Sequence, residues 1–117
     1  MISDLSGGEA KAAMQKLVAS SRRVQAWFVG MGVNASAQGR VWTESDGRYW
    51  VTDKEPDSAF LSVDPTTFGA CKLATKSSVP DFSPPGVLMA TGTFSSALMF
   101  KRQDGSLFTI FEFDKAN

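Results

Sequence analysis

Apolar positions dominate residues 86–114 in two long runs, separated by Gln103-Asp104-Gly105-Ser106. An Asp-Gly pair between such runs is the strongest short-range signal for a β-hairpin. With Asp104 and Gly105 as the two loop residues, Leu98 faces Phe111, Ser96 faces Phe113, Met99 faces Ile110 and Lys101 faces Phe108. Both faces of the ribbon are then apolar. One carries Leu98, Phe100, Leu107, Phe111 and Phe113, and the other Met99, Phe108 and Ile110, the pattern of a central ribbon covered on two sides.

Upstream, Ser6-Gly7-Gly8-Glu9 has the spacing of a capping box, and Leu5 and Ala10 are placed as a hydrophobic staple. A helix is predicted from Gly7 to about Arg22. Its apolar stripe is Ala10, Ala13, Met14, Leu17 and Val18, with Arg22 and Arg23 at the negative end of its dipole. Residues 24–33 read as a strand with a bend or bulge at Gly30 and Gly32, and residues 34–38 as a loop. A second Asp-Gly hairpin joins strands at 39–44 and 48–53 through Ser45-Asp46-Gly47-Arg48, with Arg40 opposite Asp53, Trp42 opposite Val51 and Thr43 opposite Trp50.

Residues 53–58 form a charged loop, 59–63 a short strand, and Asp64-Pro65 opens one helical turn. Residues 70–75 fit helix or strand equally. The proline-rich stretch 76–86 reads as a loop holding Phe82, and Gly92 marks a bend in a strand that continues to Lys101. The expectation is a single α+β domain over residues 1–117. In it, the N-terminal helix packs on a curved antiparallel sheet of six or seven strands, a roll or half-barrel, with a small barrel as the alternative.

Composition sharpens this by exclusion. A chain of 117 residues is long enough to bury roughly two thirds of its unfolded surface in one core. Twelve basic and twelve acidic residues cancel, so no basic footprint for duplex nucleic acid exists, and neutrality favours self-association. No stretch is long and apolar enough to cross a membrane, no leader is visible, and a single cysteine fits a reducing compartment; a cytoplasmic protein without membrane contact is expected. Histidine is absent. That removes the commonest general base, the commonest transition-metal ligand and every histidine-activated nucleophile.

The remaining candidates for chemistry are few. Leu5-Ser6-Gly7-Gly8-Glu9 resembles the signature motif of ATP-binding-cassette ATPases, which opens a helix onto nucleotide phosphate. No GxxxxGK[ST] loop accompanies it, and the capping box accounts for the same letters. Cys71 lacks the base and orienting group of a nucleophile. Asp53, Glu55 and Asp57 are spaced as a solvated loop rather than a calcium-binding one. Glu112, between Phe111 and Phe113, becomes a general acid only if its face is covered. Trp42, Tyr49 and Trp50, interleaved with Arg40 and Arg48, form the mixture that anchors a partner or stacks bases.

These readings define two functions. The first is a non-enzymatic binding or interaction module, a homo-oligomer that uses an apolar sheet face and the Trp42, Tyr49, Trp50 cluster. The second is a small enzyme or carrier that holds an apolar small molecule in a curved-sheet cavity, with Phe82 as lid and Glu112 or an acid from residues 53–57 as proton-transfer group. Single-stranded nucleic-acid binding is a third, and no cofactor or metal is implied.

Overall fold

The computed structural model describes residues 2–43, 47–52, 61–64, 69–82 and 93–114. The acidic loop at 53–58, the helical turn at 65–68 and the bend at Gly92 lie outside the described residues. The chain runs β1 (Ile2–Leu5), α1 (Gly7–Ser20), β2 (Val24–Gly30), β3 (Val33–Thr43), β4 (Tyr49–Thr52), β5 (Leu61–Val63), β6 (Ala70–Thr75), a 3-10 helix η1 (Lys76–Phe82), β7 (Phe94–Lys101) and β8 (Leu107–Phe113). All strands join one antiparallel sheet in the order β1-β6-β7-β8-β2-β3-β4-β5. Seven strands have four residues or more, and the three-residue β5 ends one edge.

The capping box forms as its letters require. Ser6 Oγ accepts from Glu9 N at 3.2 Å, and Glu9 Oε1 accepts from Ser6 N at 2.9 Å, which holds the Glu9 carboxyl below its ordinary range. The helix stops at Ser20, two residues short of Arg22. Ser21 turns left-handed at φ 53° and donates its N–H to the Val18 carbonyl. Across α1, Ala10, Met14 and Leu17 are buried in one stripe. The helix touches β1 and β6 on one side of the sheet and β3 on the other, and Gln15 Nε2 donates to Tyr49 Oη of β4 at 2.9 Å. The sheet therefore curves about the helix, and β1, read as a plain amino end in the sequence, is a true edge strand.

Both Asp-Gly hairpins are shifted by one residue from the sequence reading. Lys101 faces Leu107, Leu98 faces Ile110 and Ala97 faces Phe111; Thr43 faces Tyr49, Trp42 faces Trp50 and Arg40 faces Thr52. Turn geometry is the cause. Gly105 N donates to Arg102 O at 3.1 Å, Arg102 N donates to Ser106 O at 3.0 Å, and Gly105 has φ 88°. The loop thus holds three residues, Gln103, Asp104 and Gly105, with glycine in the left-handed position, rather than two. Gly47 has nearly the same φ, 87°, and its hairpin is shifted in the same sense. Asp104 Oδ1 accepts from Ser106 Oγ at 2.6 Å and Ser106 N at 2.9 Å, and those bonds hold its carboxyl below the usual range.

A one-residue slip moves side chains to opposite faces. Leu98, Phe100, Phe108 and Ile110 lie under α1 together with Val24, Ala26, Val41, Val51 and Cys71. On the second face Phe94, Ala97 and Phe111 pack with Ala74 and with Val79 and Phe82 of η1, and Trp27, Met99 and Phe113 close that cluster. The stretch expected to be a loop at 76–86 is helical through Phe82, and its apolar pair, Val79 and Phe82, is what it buries.

Residues 34–38, read as a loop, belong to the eleven-residue β3. The turn before them is Met31-Gly32, with φ 53° and 74°. That mirror-image turn normally announces itself with Asn-Gly or Gly-Gly, and methionine conceals it. Met31 is strained at positive φ and 86% exposed. Gly30 lies against the β7–β8 hairpin, where an added Cβ would land on the Ser106 Cβ.

Two substitutions test this packing. Gly30→Ala is expected to lower stability by about 1–3 kcal/mol in denaturant melts, because buried Ser106 cannot retreat cheaply; Gly8→Ala, with open space around it, should leave stability unchanged or slightly raised. Met31→Asn is expected to raise stability by about 1 kcal/mol by fitting the left-handed position.

Candidate functional site

Alternation sorts the sequence-derived candidates between the two faces. Tyr49 is buried on the helix face, where its hydroxyl accepts from Gln15. Glu112 shares the row of Val24 and Ser96. Its Oε2 lies 2.9 Å from Arg22 Nε, and its Oε1 accepts from Ser96 Oγ at 3.2 Å. Arg22 also donates to the carbonyls of Phe113 and Asp114 at 2.8 and 2.9 Å. This clamp fastens the segment after α1 to the end of β8. Phe82 is buried in the second-face core.

Trp42 and Trp50 face each other across β3 and β4 and lie on one face, opposite to the sequence reading that separated them. The one-residue register shift brings them together. Trp42 is fixed by its Nε1–H, which donates to the Thr52 carbonyl at 3.2 Å. Both rings are half-buried.

The residue that the sequence reading missed is Trp27. It sits in the middle of β2, opposite Ser36 of β3 and Thr109 of β8, and shares the face of Trp42 and Trp50. Its Nε1 is buried, with no hydrogen-bond partner among the described residues. The strand pattern contained the signal: Gln25, Trp27 and Val29 alternate with Val24, Ala26 and Phe28, and Asn34, Ser36, Gln38, Arg40 and Trp42 continue the outward series on β3.

The second face is therefore divided. On the β6–β7 side η1 packs down with Val79 and Phe82. On the β2–β3–β4 side lie the chain's three tryptophans, framed by glutamine, serine and threonine side chains and by the exposed Arg40. Among the described residues, no group of three or more acidic or cysteine side chains converges as a metal site, and no helix is long and apolar enough to cross a membrane.

No protein-family model and no curated protein sequence matches the chain. Its fold is similar to that in the crystal structure of ChuX, with TM-score 0.55 and 11% identity over 94% of this chain and 61% of that one. The chain thus spans about three fifths of ChuX's length. At this identity the likeness is one of fold.

Burial also decides the chemistry of Cys71. Desolvation beneath α1 pushes its thiol up to about 11. At pH 8 alkylation by iodoacetamide is expected to be at least tenfold slower in the folded protein than in denaturant, and to accelerate as pH rises toward that value. A rate equal to that of free cysteine would contradict the burial.

Proposed function

We propose that this chain is a non-enzymatic binding module whose contact surface is the β2–β3–β4 side of the second sheet face, and that its ligand is an apolar organic molecule. The observation that carries this reading is the pairing of Trp42 with Trp50 on the face away from the helix, a face that Trp27 shares farther along β2. Aromatic rings supply large contact area at low entropic cost.

The geometry also favours this reading over its competitors. The concave side of the sheet is filled by Met14, Leu17 and their neighbours, so the accessible aromatic surface is the opposite one. Glu112 is tied to Arg22 and Ser96, and Phe82 is packed into the core, so one of the two proton donors of the enzyme reading and its lid are engaged in structural contacts, while the other donor, an acid of residues 53–57, lies outside the described residues. A second copy is the other occupant that a neutral chain allows. An isologous contact, however, sets a face against itself, and this face would then meet Arg40 with no carboxylate on β2, β3 or β4.

Fluorescence titration with phenylnaphthylamine, an uncharged aromatic probe, tests the proposal together with solution mass by light scattering. The expected result is a monomer that binds the probe saturably at one site, with affinity severalfold weaker in Trp50→Ala. Absence of saturable binding would refute the proposal. So would a stable dimer that Trp42→Ser dissociates, since the face would then be occupied by a second copy.

A further inference from the structure

The charge on the tryptophan face is one-sided. Arg40 projects from β3 between Gln38 and Trp42, directly opposite Thr52 and diagonal to Trp50. It is exposed and has no ion-pair partner among the described residues. Alternation puts one carboxylate on the described strands of this face, Asp4 of β1, at the far edge beyond β7 and β6 and already 3.8 Å from Lys72. On β2, β3, β4, β7 and β8 the second face carries amide, hydroxyl and apolar groups and two cations, Arg40 and Lys101. Lys101 lies at the opposite end of its strand rows, beside Leu107 and Val29.

A guanidinium beside two tryptophans, unpaired among the described residues, is a ready partner for a carboxylate, sulfonate or phosphate ester, because its fork geometry matches such groups and aromatic neighbours exclude water from one side. We infer that the ligand of this face is an amphiphilic organic anion, with its apolar body on Trp42 and Trp50 and its acidic group at Arg40. The spacing agrees. Arg40 is two residues from Trp42 along β3 and diagonal to Trp50, so rings and cation are separated by roughly 7 Å at about 3.3 Å per residue. An aromatic body of two or three fused or linked rings spans that interval. The inference rests on the reading of the tryptophan face as a ligand surface, and it adds the charge of the ligand.

The test compares two probes that differ in a single group: phenylnaphthylamine, which is uncharged, and anilinonaphthalene sulfonate, its anionic counterpart. Both are titrated into the intact chain and into Arg40→Gln and Lys101→Gln. The sulfonate is expected to bind about fivefold tighter than the neutral probe at low salt, the gain of one exposed ion pair, and added sodium chloride should narrow the gap. Arg40→Gln should erase the difference, and Lys101→Gln should alter neither affinity. Equal affinities for the two probes, or a gap that survives Arg40→Gln, would overturn the inference while leaving the ligand surface intact. Failure of both probes to bind would instead remove the surface itself, and the inference with it.

Discussion

The left-handed backbone of Gly105 decides which side of the sheet β7 and β8 present to the helix. With φ at 88° the glycine closes a three-residue turn, pairs Lys101 with Leu107, and so sends Phe108 and Ile110 beneath α1 and Phe111 and Phe113 to the opposite side. Gly47 occupies the same region of backbone space, and in its hairpin the equivalent register pairs Trp42 with Trp50. A β-carbon at either position would oppose the turn. The distribution of aromatic residues between a helix-covered core and an outward face thus follows from two glycines.

Each face then receives a different cover. A single amphipathic helix lies in the curve of the sheet and buries a stripe of Ala10, Met14 and Leu17. On the reverse, a short 3-10 segment contributes only Val79 and Phe82, enough to close the β6–β7 side over Ala97 and Phe111. Half-buried tryptophans on β2, β3 and β4 are the remainder of that arithmetic. Arg22, fixed to Glu112 and to the carbonyls of Phe113 and Asp114, secures the junction where helix, β2 and β8 meet.

The helix, its cap and the hairpin positions were legible in the sequence because each depends on local chemistry: Ser6 and Glu9 at capping distance, an apolar stripe of helical period, and Asp-Gly between apolar runs. The curved antiparallel sheet followed from them. Register was not legible, since Asp-Gly serves two loop lengths and only long-range pairing chooses between them. Residues 34–38 were hidden by the Met31-Gly32 turn, which replaces the usual asparagine with a strained methionine. Of the candidate site, the sequence pattern brings out Trp42 and Trp50 but puts them on opposite faces, and it marks Trp27 only as a strand former. Tyr49, Phe82 and Glu112 are placed by tertiary contacts with Gln15, the second-face core and Arg22, none of which a local pattern encodes.

Cross-strand nuclear Overhauser effects in the isotope-labelled protein test the shared tryptophan face most directly. The register described above requires backbone contacts between Trp42 and Trp50 as directly opposed residues, and between Trp27 and both Ser36 and Thr109. Direct opposition of Trp42 to Val51 and of Thr43 to Trp50 would place the two rings on opposite sides of the sheet, and the tryptophan surface would not exist.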